Sequence, residues 1–136
     1  MSWFDVFLTL FLFRALGLCS VVLCKSFTSC GEKQVYFDGF QIRVGPKVKD
    51  LLTAEEFTAV LQHETGHRYY LHFWKNLIRA LFFLPHTKTR RLFQEKQADS
   101  CITNKLAFAS ALEKLGAVSE IDCQRLTDLK AHYEHC

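Results

Sequence analysis

Hydrophobic and polar positions change their spacing several times along the chain. Residues 3 to 24, "WFDVFLTLFLFRALGLCSVVLC", form a near-continuous apolar run broken only by Asp5 near one end and Arg14 in the middle. Residues 35 to 44, "VYFDGFQIRV", place two β-branched and aromatic runs around Asp38-Gly39, a hairpin signal, and Gly45-Pro46 then stops the second strand. From Thr53 the spacing becomes helical. Thr53 with Glu56 three residues later makes a capping box, Glu55 adds negative charge at the positive helix end, and Phe57, Val60 and Leu61 fall at i, i+3 and i+4. A second helical stretch, "RRLFQEKQADSCITNKLAFASALEKLG", carries Leu106, Phe108, Ala109, Leu112 and Leu115 as its apolar positions. The predicted fold is α+β and mostly helical. It has an N-terminal apolar helix, a small β-hairpin, a histidine-bearing helix that is the candidate zinc-binding helix, and a second ligand-bearing helix.

At 136 residues, with 49 % hydrophobic residues and thirteen phenylalanines, the chain holds one core and is too apolar for disorder. We divide it into an anchoring or interfacial helix (1–24) and a domain over 25–136. The net charge of +3 is spread without a like-charge block. No helix-turn-helix, RNP or zinc-knuckle pattern occurs, so nucleic acid is not expected as a partner. Six cysteines lack any C-x-x-C pair, which favours a reducing compartment over a disulfide framework.

The stretch 3–24 is long enough to span a bilayer. Its roughly thirteen Leu, Phe and Val, at about −0.3 to −0.6 kcal/mol each, outweigh one central Arg at about +2.5 to +3.5 kcal/mol. Arg14 should then seek a partner or a water-filled surface. A cleavable signal fits worse, because no basic residue precedes the run and no A-x-A site follows it. The alternative is a buried or interfacial helix of a soluble domain. If the segment spans, Lys25, Lys33, Arg43, Lys47 and Lys49 follow it, and the positive-inside rule puts the remaining chain in the cytoplasm as a single-anchor membrane protein.

"QHETGH" is the chemical centre of the sequence. His63 and His67 lie at i and i+4, one turn apart on one helix face, and can grip one metal ion. Glu64 can lean over the open coordination position and take a proton from the attacking water. Gly66 costs about 1 kcal/mol in a helix interior, understandable if another segment packs close beneath the metal. A catalytic zinc needs a third protein ligand. His72 would suggest a metzincin, but that pattern wants Gly at 70 and His at 73, where the chain has Tyr70 and Phe73. Glu95 and Asp99, again i and i+4, are better placed. Glu95 is the candidate ligand, and Asp99 the acceptor that fixes a ligand histidine's tautomer.

"LTAEEFTAVLQHETGH" followed by "EKQADSCITNKLAFASALEKLG" resembles the two motifs of gluzincin membrane metallopeptidases related to the heat-shock protease HtpX and the CAAX prenyl endopeptidases. "IRVGPKVKDLLT" resembles the strand and turn before their zinc helix. The similarity covers roughly residues 35–115, and BlaR/MecR-type sensor peptidases are cousins. It implies one Zn2+ per chain on His63, His67 and Glu95, Glu64 as general base, Asp99 in support, a minimal metallopeptidase domain over 25–136, and a peptide or protein substrate. The relatives carry more membrane helices and a longer insertion between the motifs. Here "LHFWKNLIRALFFLP" (71–85) stands in that place, too short to cross a bilayer. Its Lys75 and Arg79 suit a membrane surface, and packing against the N-terminal helix is the other option.

The strand "FQIRV" is expected to line the cleft and pair with an extended peptide. An oxyanion-stabilising group is also needed, and His132, Tyr133 and His135 are candidates, as are Tyr69 and Tyr70. His132, His135 and Cys136 could alternatively occupy the metal's open position as an inhibitory tail. Two other functions compete: a repressor-cleaving regulatory peptidase of the ImmA/IrrE kind, which the N-terminal anchor disfavours, and a non-enzymatic membrane zinc-binding sensor or partner protein. A fourth protein ligand such as His72 or His86 would favour the last.

Overall fold

The computed structural model describes residues 2–27, 29–116 and 120–134. In chain order the elements are α1 (Trp3–Phe27), β1 (Val35–Phe37), β2 (Ile42–Val44), α2 (Val48–Leu51), α3 (Ala54–Tyr69), α4 (His72–Leu81), α5 (Lys88–Asp99), α6 (Lys105–Leu115) and α7 (Glu120–Glu134). The mostly helical α+β expectation is borne out. The strands form one antiparallel pair with Val35 opposite Val44, Tyr36 opposite Arg43 and Phe37 opposite Ile42. All five cysteines among the described residues are free.

Helix α3 is the central element, with α5 and α6 packed on it, β1 laid beside it, and α7 closing over α5 and α6. Its start is the predicted capping box: Glu56 N–H donates to the Thr53 hydroxyl at 3.3 Å and Thr53 N–H to the Glu56 carboxylate at 2.8 Å. The core gathers Val48, Ala59, Val60, Ile102, Phe108, Ala111 and Leu129. Leu106, expected to point inward, is exposed, and Ala111 takes the buried place on that helix. A Cβ at Gly66 would stand 2.9 Å from both Cα and O of Ala98. Only glycine lets α5 come this near, so the helix propensity lost at Gly66 is the condition for the close α3–α5 seam.

The hairpin loop is longer than a two-residue Asp-Gly turn. The Asp38 carboxylate accepts from the N–H groups of Phe40 and Gln41, both at 2.9 Å, and pairs with Arg43 Nε at 2.8 Å, an Asx-type closure. Gly39 adopts φ +102°. A Cβ there would lie 2.4 Å from the Phe73 ring.

Helix α1 runs past the predicted boundary to Phe27. Its stretch Trp3–Cys24 is long and apolar enough to cross a membrane and none of it is buried, so the buried-core alternative is set aside. It meets the rest of the chain through α4. Arg14 finds the partner it needs there: its Nε donates to the Ala80 carbonyl at 2.6 Å and its guanidinium sits 4.0 Å from the centre of the Phe83 ring. Of the two roles foreseen for 71–85, packing on α1 is observed for α4, while Phe82, Phe83 and Leu84 remain exposed.

Candidate metal centre

Between α3 and α4 the chain reverses in two residues, and Leu71 takes the left-handed conformation at φ +55°, a costly state for a residue with a Cβ. The reversal brings His72 back onto α3, where its Nδ1 lies 2.8 Å from Nδ1 of His67. Helix α5, admitted by Gly66, brings Glu95 and Asp99 to the same place. The histidine pair and Glu95 thus meet in one wall of a cavity of about 480 Å³, with Asp99 against the outer side of His63.

His63 Nε2 and His67 Nε2 are 3.0 Å apart, and Glu95 Oε2 lies 3.4 Å from the first and 3.5 Å from the second. A tetrahedral ion with ligands at about 2.0–2.1 Å requires ligand atoms about 3.3 Å apart, so the triangle has the dimensions of a three-ligand site. Among the described residues, His63, His67 and Glu95 can hold a metal ion.

With both rings neutral, the partners of their outer atoms leave the inner nitrogens as acceptors. His63 Nδ1 donates to Asp99 Oδ1 at 2.9 Å, which leaves the Nε2 lone pair inward. His72 Nε2 donates to Gln97 Oε1 at 3.1 Å. Its Nδ1 therefore accepts from His67 Nδ1, and His67 Nε2 is also left as an acceptor. Such outer partners orient a metal-binding histidine and raise its basicity. His72 is thus a support for His67 and lies outside the ligand triangle, as does His86, which lines the cavity further out.

Arg125 on α7 completes the arrangement. Its guanidinium holds Asp99 at 2.6 and 3.0 Å and reaches Glu95 Oε2 at 2.9 Å and Asp122 at 3.2 Å. It is buried and stands over Phe108, which stacks on the His63 ring at 4.9 Å. Burial works to raise the pKa of Glu95, but His63, His67 and Arg125 outweigh it and hold the carboxylate ionised, well below its ordinary range. Asp99 is likewise depressed, with burial overcome by His63 and Arg125. Burial lowers His63's affinity for a proton, yet Asp99 and Glu95 together raise its pKa.

Glu64 lines the cavity beside His63, and its Oε2 accepts the Phe37 N–H at 2.8 Å. Burial pushes its pKa up, against the pull of His63 and His67 and of that N–H. The contact ties β1 to α3 and corrects the assignment of the cleft strand. Val35, Tyr36 and Phe37 of β1 line the cavity, whereas β2 with "FQIRV" lies behind β1. Asp38 N–H donates to Gln41 O and Gly45 N–H to Gln34 O. By alternation the backbone groups of Val35 and Phe37 therefore face away from β2, toward the cleft.

Two expected oxyanion donors are elsewhere. Tyr69 is 75 % exposed, and the Tyr70 hydroxyl meets Ser100 at 3.3 Å. Neither lines the cavity, whereas His86, Arg91 and Asn76 do. His132 and Tyr133 fall in the last turn of α7 and His135 beyond it, and the tail's side chains lie outside the described residues. Sequence reasoning missed Arg125 and the Gln97–His72 chain. The spacing of Leu126 and Leu129, both packed in the core, was the available signal for a last helix that would carry Arg125 inward. No family model, curated protein or solved structure matches the chain.

Proposed function

We propose that the chain is a zinc-dependent endopeptidase of gluzincin type, working at a membrane to which α1 attaches it, with its catalytic domain on the cytoplasmic side. The observation that carries the reading is the acceptor triangle: two histidine nitrogens and one carboxylate oxygen, 3.0 to 3.5 Å apart, with both histidines aimed inward by a partner on their other side. Three protein ligands with a cavity in front of them is the arrangement of a catalytic rather than a structural zinc. Bound there, zinc supplies Lewis acidity toward a carbonyl and toward water.

The chain's own groups do the rest. His63, His67 and Glu95 hold the ion, and Asp99, His72 and Arg125 hold the ligands in place. Glu64 takes a proton from water and delivers it to the leaving amine. The cleft-facing edge of β1 offers the Val35 backbone groups and the Phe37 carbonyl to an extended peptide, in place of the β2 strand. A fourth protein ligand would favour the non-enzymatic alternative; among the described residues three converge, which supports the enzyme reading.

Zinc content and peptide hydrolysis, measured on parent, Glu95→Ala and Glu64→Gln, test the proposal. About one zinc per chain with hydrolysis in the parent, loss of zinc in Glu95→Ala, and retained zinc without hydrolysis in Glu64→Gln are the expected results. A parent that takes up no offered zinc ends it. Zinc without hydrolysis in the parent moves the chain to the sensor or partner class.

A further inference from the structure

We propose that the α4–α5 turn, Phe82 to Pro85, is a second membrane-inserting element that enters the hydrocarbon beside α1 at the level of Arg14. The inference rests on α1 being the membrane segment and is independent of the metal.

Arg14 stands eleven residues after Trp3 and ten before Cys24 in the apolar stretch. At 1.5 Å per residue it is about 15 Å from either end, hence near the middle of a hydrocarbon core about 30 Å thick. A guanidinium at that depth needs a partner brought to it. The partner is the end of α4: the Ala80 carbonyl, 2.6 Å from Nε in the negative last turn of that helix, and the Phe83 ring at 4.0 Å. Phe82 continues the contact one turn back along α1, its ring 6.0 Å from Phe11. The α4 end therefore lies against the middle of α1. Whatever solvent surrounds the middle of α1 surrounds this turn as well.

The turn is built for that solvent. Phe82, Phe83 and Leu84 are exposed, as is Ile78 one turn earlier, and Phe82 meets α1 at Phe11. Phe83 holds φ +58°, and in that conformation its ring closes over Arg14 rather than following the helix. Arg79 is turned onto the Pro85 carbonyl at 3.2 Å, which satisfies part of its guanidinium within the turn. Beyond it the first turn of α5 carries Lys88, Arg90 and Arg91 and no acid, a charge pattern complementary to anionic headgroups. His86, two residues after Leu84, already lines the cleft, so the turn and the cleft mouth are adjacent along the chain.

The test uses the full chain in vesicles of phosphatidylcholine and phosphatidylglycerol, with Phe83→Trp and, as a second variant, Leu84→Trp. Flotation reports attachment. The tryptophan emission gained over the parent is then challenged with lipids brominated on their acyl chains and with aqueous iodide. We expect the added emission to be quenched at least twofold by the brominated lipids and left nearly unchanged by iodide, in both variants. Floating protein whose added emission is quenched by iodide and spared by the brominated lipids overturns the inserted turn and leaves the α1 anchor standing. Added emission shielded from both quenchers overturns it too, and points to a second protein surface on the turn. Protein that fails to float removes the anchor and the turn together.

Discussion

Glu56 and His63 lie two turns apart on α3, and both are buried polar residues ringed by charged neighbours. Glu56 receives a donor from every side: Thr53 N–H at 2.8 Å, Ser110 Oγ at 2.6 Å and Lys114 Nζ at 2.8 Å. The cluster around His63 has the opposite balance. His63 Nε2, His67 Nε2 and Glu95 Oε2 turn three acceptors toward one point, and Asp99, His72 and Gln97 take up the donors on the far sides. Buried acceptors short of donors are costly. The first region is complete as protein. In the second, Arg125 supplies one donor to Glu95 Oε2 at 2.9 Å, and the three facing atoms could hold a cation between them. Donor and acceptor balance, more than residue type, separates a structural ion pair from a candidate metal site on the same helix.

The largest effect that should break this contrast is at Glu95. Glu95→Ala removes one corner of the triangle and the carboxylate that Arg125 approaches, so zinc affinity should fall by more than about a hundredfold, beyond what loss of a supporting residue causes. Competition with a fluorescent chelator reads it. Affinity within a few-fold of the parent would place the third ligand elsewhere and dissolve the comparison.

That prediction was available from the chain alone, since His63, Glu64, His67, Glu95 and Asp99 sit on two helices whose i, i+4 spacing is local. Helical geometry aligns such pairs whatever surrounds them. The same holds for the Thr53–Glu56 capping box. Contacts between elements were harder. Arg125 comes from a helix thirty residues beyond Glu95, and His72 reaches His67 only because Leu71 adopts a left-handed turn that no spacing announces. "FQIRV" reads as a strand and points to β2 as the cleft edge, but which edge of a hairpin faces a helix depends on packing. Gly66 is the intermediate case: its place in a helix signalled a close neighbour, and the neighbour proved to be Ala98.

The next effect in size tests the supporting residues. His72→Ala leaves the triangle's atoms in place but frees His67 to turn and to protonate its inner nitrogen. Asp99→Asn does the same to His63 and also takes a charge from Arg125. Each should weaken zinc binding about 10–100-fold. Cobalt-substituted protein adds a signature a purely structural role would not give, a changed visible absorption band at full occupancy. His72→Asn, which can still accept from His67, should recover part of the loss. Unaltered affinity in His72→Ala would make His72 scaffold.

Across the comparison, Glu56→Gln should lower stability by about 1.5–3 kcal/mol, the range for hydrogen bonds to a charged group. Zinc affinity should stay unchanged, because no atom of the Glu56 cluster touches the triangle. Thermal melting in detergent micelles and the same chelator competition read the two quantities. A parallel loss of zinc would mean that the two regions are coupled along α3.

The smallest effect is the pH dependence of that difference. The Lys114 ammonium, then the Ser110 hydroxyl, hold the Glu56 carboxyl down from an ordinary value of 4.5 to about 2, against the burial that would raise it. A group whose folded pKa is depressed contributes its stability fully above the unfolded value and loses it as pH falls through the folded one. The stability gap between parent and Glu56→Gln should therefore be constant above pH 4.5, narrow below it, and largely close near pH 2. Lys114 is partly exposed, so salt should shrink the gap at neutral pH as well. Because the variant keeps every residue of the metal centre, subtracting the two melting curves cancels the acid titration of Glu95, Asp99 and the histidines. A gap that persists undiminished at pH 2 would mean that Glu56 stabilises α3 by shape and neutral hydrogen bonds, and that its charge is incidental to the cap.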